Sequence, residues 1–199
     1  MIHRCFCIVL LVVPLLLAGQ TSYKIVEESQ FEVTGTSTLS DWTVKTRAVS
    51  GTVELSKSFV KKDVPKKGSQ VSNANIRVEV KTLDGGRGAT MNDKILAAFQ
   101  ASEHPEIVYE LSSATVDGMK EGSDKVFLLS STGTLSMAGK SQTLDIPLEG
   151  ERQAGGGYIF QGVCPLHMKD FAMEPPSAMF GQIIAGDAVK VHIKLKISE

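Results

Sequence analysis

The chain is poor in the residues that most enzyme chemistry needs. Cysteine occurs three times in 199 residues, and Cys5 and Cys7 fall in a leading apolar run, leaving Cys164 alone in the remainder of the chain. A single thiol excludes an intramolecular disulfide framework. Cys164 lies in an alternating apolar stretch, which points to a buried, inert thiol, because reactivity needs exposure and a nearby base or cation. Histidine is scarce too: His104, His167 and His192 are far apart, and no pair has the helical or turn spacing of a zinc motif. No metal and no cofactor are expected. There is no G-x-S-x-G elbow, and the carboxylates are scattered over polar faces without a distinctive acid–base pair. With no catalytic set, the chain reads as a non-enzyme.

An excess of charge is also missing. Lys and Arg total 21 against 22 Asp and Glu, so no large positive field points to nucleic acid. Lys57, Lys61, Lys62, Lys66 and Lys67 cluster, but Asp63, Pro65 and Gly68 lie among them and the segment reads as a solvated loop. No Pro/Gly/Ser linker divides the chain. The longest apolar run, Cys5 to Ala18 after Arg4, is shorter than the ~20 residues a membrane-spanning helix requires. It has the form of a signal-peptide core, so residues 1–20 are expected to be removed and the protein to be periplasmic or secreted. A retained hydrophobic anchor is the alternative. Leu16-Leu17-Ala18-Gly19 is similar to the end of a lipoprotein signal, but Gln20 stands where the lipid-accepting Cys would be. Residues 21–199 then form one domain, large enough for one sizeable core.

What the sequence has in abundance is alternation. Val189, Val191, Ile193, Leu195 and Ile197 interleave with Lys190, His192, Lys194 and Lys196, the pattern of a strand with one buried face. The same period places Phe31 and Val33 on one face, then Ile76, Val78 and Val80, then Ile107, Tyr109 and Leu111, then Leu144, Ile146 and Leu148. It runs longest through Tyr158, Phe160, Gly162, Cys164, Leu166 and Met168. Phe127, Leu129, Leu135 and Met137 share parity with the small Ser131 and Gly133, which suits an inner wall with room beside it. Between Trp42 and Leu55 the parity changes, predicting a bulge near Arg47 or Ala48.

One helix interrupts the strands. Thr90 and Asp93 form a candidate capping box, and Met91, Ile95, Leu96 and Phe99 then fall on one face, with His104-Pro105 as the stop. Such a helix would lie on the sheet or across one mouth. Counting segments gives about eight strands. Eight alternating antiparallel strands close into a barrel or stack as a sandwich, and periodicity alone admits both.

Four motifs carry a resemblance. They are the strand from Phe31 to Asp41-Trp42; the helix Met91 to Phe99 followed by His104-Pro105-Glu106-Ile107-Val108-Tyr109; Gly133 to Lys140 with Leu144-Asp145-Ile146-Pro147-Leu148; and Met168 to Met173 with Gly186 to Val191. In this order the sequence resembles the YceI-like family of bacterial lipid-binding proteins over nearly all of its mature length. The resemblance implies a mainly β fold, a single antiparallel eight-stranded lipocalin-like barrel with one short helix, whose interior takes up a polyisoprenoid such as a quinone or a prenyl phosphate. Ser40 stands where many relatives have His, which leaves the headgroup contacts open.

The residues expected to line a lipid tunnel are Phe31, Trp42, Phe99, Tyr109, Phe127, Leu129, Phe160, Met168, Phe171, Met173, Met179 and Phe180, with the stretch from Phe171 to Phe180 as a rim. Asp84-Gly85-Gly86-Arg87-Gly88 reads first as a turn needing positive φ, and Arg87 is the first candidate for a phosphate headgroup. The expected partners are an isoprenoid lipid and, transiently, a membrane; oligomeric state is open. A filled barrel used for protein contacts and an enzyme acting on an apolar substrate are the competing readings.

Overall fold

The computed structural model describes residues 20–199, so residues 1–19 of the segment read as a signal peptide lie outside the described residues, while Gln20 is the first residue of the first strand. Eleven strands form one sheet: β1 (Gln20–Ile25), β2 (Gln30–Ser37), β3 (Trp42–Thr46), β4 (Val49–Ser56), β5 (Gln70–Glu79), β6 (Glu106–Met119), β7 (Val126–Met137), β8 (Lys140–Arg152), β9 (Tyr158–His167), β10 (Ser177–Ala178) and β11 (Ile183–Ser198). Two pairs of these are single strands broken in the middle, and the two-residue β10 only flanks β11, which reconciles them with a closed eight-stranded antiparallel barrel.

The first break lies between β1 and β2, which both pair antiparallel with β11. The chain leaves the ladder at residues 26–28, and the Ser29 hydroxyl takes over there, donating to the Lys196 carbonyl at 3.1 Å and accepting from its N–H at 2.9 Å. Ser29 is accordingly fully buried. The second break is the predicted bulge: β3 ends at Thr46 and β4 resumes at Val49, with the Thr46 hydroxyl accepting from the Ala48 N–H at 3.1 Å. A seam between β1 and β11, joining Lys24 to Ser198 and Ile25 to Ile197, closes the barrel. Closure leaves few edges for another chain to extend. Because β11 runs for 16 residues at ~3.3 Å each, the barrel is a long tube rather than a squat ring.

Two short helices finish it. α1 (Lys57–Val60) was not foreseen, since its lysines read as a solvated loop; yet it carries Phe59 into the barrel end, fully buried. α2 (Ala89–Ala98) is the expected helix, but its start is not a capping box. Gly88 is the N-cap, at φ 82°, and Thr90 already lies inside the first turn with no side-chain cap. The Asn92 side chain does the anchoring instead, accepting from the Gly85 N–H at 3.0 Å and donating to Asp84 Oδ1 at 3.2 Å. That clamp, with Gly86 and Gly88 at positive φ, fixes the loop that the sequence marked as a turn. The helix also stops before His104-Pro105, because Gln100 turns left-handed at φ 51° directly after it.

α2 has a structural role in the wall. β5 ends at Glu79, so on this flank β3 meets only a single bridge, Lys45 to Asp84. The segment 80–105, with α2 in it, covers the gap that is left.

Candidate functional site

The tube is packed with aromatic rings at one end and encloses a cavity beyond them, beside a second buried apolar cluster that includes Leu166, Met168 and Phe171. Phe59, Phe127 and Tyr158 meet edge to face, with ring centroids 5.4–6.4 Å apart, and Tyr23 adds a further edge contact to Tyr158 at 5.8 Å. Such geometry favours the aromatic quadrupoles and fills the closed end. Above this plug lies a cavity of about 300 Å³ that extends to the opposite mouth. Its floor is Phe160, Leu129 and Val53; its walls come from β2 to β9 and β11; α2 contributes Met91 and Ile95, and Phe99 follows at its end. Inward residues along the middle, such as Phe31, Tyr109 and Leu135, are only half-buried, as expected where side chains border empty space.

The lumen stays open because its large rings lie flat against the wall. Trp42 covers Gly35 of the neighbouring strand, and Tyr109 covers Gly133: a Cβ on either glycine would fall 2.3 or 2.4 Å from the ring above it. Phe127 lies over Gly150 in the same way at the packed end. The expectation that small Ser131 and Gly133 leave room beside them is therefore met indirectly. Gly133 receives the Tyr109 ring, and the room appears in the lumen from which that ring is withdrawn.

Nine of the thirteen residues singled out from sequence reach the cavity: Phe31, Trp42, Phe99, Tyr109, Leu129, Phe160, Met168, Met173 and Arg87. Four do not. Phe127 is fully buried in the aromatic plug, and Phe171 is buried beneath the 3-10 turn Met168–Phe171, packed with Met168 and Met173. Met179 and Phe180 lie outside the mouth, exposed, because their turn points both side chains away from the barrel. Within the stretch from Phe171 to Phe180, Met173, Pro176, Ser177 and Ala178 border the cavity, and Ile183 of β11 joins them. Val33, Val44, Ile76, Leu135, Leu144 and Ile193 also line the cavity. Their alternation was the signal, but it marks an inward face without saying whether that face is packed or hollow.

Polar groups are few and placed at two levels. At the mouth, Arg87 donates to the Asp41 carbonyl at 3.4 Å and the Lys94 ammonium donates to the Ser177 carbonyl, so both cations border the opening. Lys94 gave no signal in sequence, since one charged residue in a helix is normally solvated. Ser40, at the position where relatives carry His, lies exposed in the β2–β3 turn, with its carbonyl accepting from Ser37 at 2.7 Å, and does not border the cavity. Deeper in, the buried Tyr109 hydroxyl has no hydrogen-bond partner. Ser131 is near enough to moderate it, but its own proton is given to the Ile146 carbonyl at 2.7 Å. Burial pushes the Tyr109 hydroxyl above its ordinary pKa and does the same to the Cys164 thiol, which also faces the cavity. A neutral thiol in apolar surroundings is a poor nucleophile. Among the described residues no group of three or more His, Cys, Asp or Glu is placed to hold a metal ion.

An antiparallel barrel with a closed floor, an apolar lumen and a cation-flanked mouth has the architecture of a small lipocalin-like binding protein. Residues 23–197 match the YceI-like domain, and the chain belongs to that family. Solved structures share the fold at low identity. Burkholderia cenocepacia BcnA is 16% identical, with a TM-score of 0.64, covering 86% of this chain and 97% of its own. A polyisoprenoid binding domain from Saccharophagus degradans, implicated in plant cell wall breakdown, is 14% identical with a TM-score of 0.65, covering 88% and 97%. The Campylobacter jejuni YceI protein is 13% identical, TM-score 0.52, covering 78% and 84%. None of the curated proteins matches the chain.

Proposed function

We propose that this protein binds a long apolar lipid, a polyisoprenoid quinone or prenyl phosphate, inside the barrel and acts without catalysis as its carrier or store in the periplasm. The observation that carries this reading is the hollow apolar lumen, kept open by rings laid back onto wall glycines. A barrel used only for protein contacts has no reason to leave that space, because close packing stabilises a core. Its volume lies at the lower end of the range of small-molecule sites. Each methylene drawn from water into it contributes ~0.8 kcal/mol, so even part of a prenyl chain outweighs several kcal/mol of association cost.

The name of the Saccharophagus domain supports an isoprenoid as the ligand class. Arg87 and Lys94 suit an anionic headgroup held at the mouth with the chain running inward. Non-catalysis is supported by the condition of three polar groups in the inner lumen: a neutral buried thiol, a serine engaged by a carbonyl, and an unpaired phenol. The short apolar run at residues 5–18 supports export. Mass spectrometry of solvent-extracted native protein tests the proposal. A stoichiometric lipid is expected; an empty extract together with failure to bind any isoprenoid would reject it, and turnover of the bound lipid would replace the carrier with an enzyme.

A further inference from the structure

The turn that joins β10 to β11 breaks the usual chemistry of its type. Ala178 pairs with Ile183, so the connection is a four-residue loop, and within it Ala178-Met179-Phe180-Gly181 forms a tight turn in which the Gly181 N–H donates to the Ala178 carbonyl at 3.1 Å. Met179 and Phe180, its two central residues, have φ of 50° and 56°. Turns with both central φ values positive strongly favour Asn-Gly or Gly-Gly, because bulky side chains fit that conformation poorly. Here they are filled by Met and Phe, which are mostly turned to solvent: Met179 is 64% exposed and Phe180 is fully exposed. A site that violates local preference without a stabilising contact is where a function is to be sought.

The violation is part of a larger surface. The β2–β3 turn lies alongside, tied by Thr38, whose N–H donates to the Ile184 carbonyl at 3.0 Å and whose hydroxyl donates to the Gln182 carbonyl at 3.1 Å. It adds Leu39, 70% exposed, and β11 adds Ile184, 47% exposed. Four of the described chain's six most exposed large apolar residues are thus gathered at one end. This is the open end, since Ser177, Ala178 and Ile183 of the same hairpin line the cavity. Charge is sparse at the tips: residues 33–40 and 175–186 contain no Asp, Glu, Lys or Arg, and the β2–β3 turn carries one charged residue, the exposed Asp41, whose carbonyl accepts from Arg87. Behind the tips, at the mouth, are Arg87 and Lys94.

We infer that the two tips dock on a lipid bilayer, with Phe180, Met179, Leu39 and Ile184 entering the acyl boundary and Arg87 and Lys94 level with the phosphates. This rests on the carrier reading. An apolar rim with Asp41 as the single charge of its two turns lets a chain pass between bilayer and barrel with little contact with water, and Arg87 and Lys94 behind it match the sign of the phosphate layer. Insertion here is driven by apolar burial, so phosphatidylcholine vesicles suffice and added anionic lipid strengthens binding only modestly.

The test replaces the tip by the sequence its backbone prefers. Met179→Asn with Phe180→Gly relieves the turn, so this variant is expected to fold with a higher Tm and cannot be dismissed as misfolded. Sedimentation with phosphatidylcholine vesicles should show it binding about tenfold more weakly than the parent, or worse. Met119→Ser, which removes an exposed apolar side chain elsewhere, should leave binding unchanged. Lipid extracted from the same preparations reports the cavity separately: equal lipid content with lost vesicle binding supports the inference. If the parent fails to bind vesicles, if the double variant binds equally, or if Met119→Ser weakens binding as much, docking is overturned, whatever the lumen holds. If the parent ignores vesicles but self-associates and the double variant is monomeric, the surface belongs to a second copy of the chain.

Discussion

Gly35→Ala tests the idea that flat rings keep the lumen open. The new Cβ would stand 2.3, 2.7 and 2.9 Å from Cζ2, Cε2 and Cη2 of Trp42. All three atoms belong to one side chain, so the indole must tilt off the wall, and the free side is the cavity. Tilting breaks its 2.8 Å bond from Nε1 to the Thr36 carbonyl, worth ~0.5–1.5 kcal/mol. Replacing glycine in a strand returns ~0.4–1 kcal/mol through the unfolded chain. Lipid-free stability should therefore change by less than about 1 kcal/mol. Affinity should not be spared: an indole that takes the room of about four methylenes, at ~0.8 kcal/mol each, weakens binding by about 3 kcal/mol, roughly two orders of magnitude. Trp42 is the only tryptophan, so its fluorescence reports the ring directly while titration with a short-chain ubiquinone gives the affinity. Gly150→Ala is the matched control, because Phe127 lies 2.3 Å from that Cβ but is enclosed by Phe59, Tyr158 and Phe160. Overpacking there should cost ~1–3 kcal/mol and leave affinity alone. Equal destabilisation by both substitutions, with unchanged quinone affinity, would refute the hollow-lumen argument.

Leu129→Trp places bulk on the cavity floor and should reduce bound lipid with little change in the denaturant midpoint of delipidated protein; undiminished lipid with a sharply lower midpoint would remove β7 from the binding wall. Phe59→Ala should cost ~3–5 kcal/mol in chemical denaturation, because it empties the centre of the aromatic plug. A surface-like effect would mean that α1 does not seal the end. All three tyrosines have pKa values raised from the ordinary 10.0, mainly by burial, Tyr23 to about 12. Folding thus favours the neutral phenols, whose contribution is complete below the ordinary 10.0 and is lost as pH rises above it, because the unfolded chain ionises first; for Tyr23 the loss extends to about 12. Phenolate absorbance should appear well above pH 10 in folded protein and shift to about 10 in denaturant; coincident curves would contradict the burial. Tyr109→Phe should leave delipidated protein at least as stable, since it deletes an unpaired buried hydroxyl. A lower midpoint would reveal a partner for that group.

Much of the barrel was legible because period two is strict wherever one face of a strand is buried. The parity change at Arg47-Ala48 gave the bulge by itself. What escaped were features held by single side chains. Ser29 bridges a break in a strand with its hydroxyl, and nothing in its neighbours distinguishes it from a loop serine. Phe59 is one apolar residue among lysines, so local composition hid a core position that only the tertiary fold creates. Asn92 anchors α2 from within the helix, where a cap is not sought. The site was legible as a face but not as a surface: alternation cannot tell Phe127, which belongs to the aromatic plug, from Leu129, which borders the cavity two residues later on the same parity.

The seam between β1 and β11 has a consequence in time. It joins residues at opposite ends of the described chain, and beside it Tyr23 reaches Glu199 across 176 positions of sequence. Hairpins such as β6–β7 and β7–β8 need only neighbouring residues and can pair as soon as both arms exist. Enclosure is different, because β11 forms one whole side of the tube, paired along its length with β9 and, on its other edge, with β2 and β1. A growing chain that has not yet released these last residues is an open, greasy trough rather than a container. Contacts this distant in sequence form late and slowly. Enclosure of the lumen therefore waits for β11, and the nascent trough is the stage at which the protein most needs protection from its own apolar face.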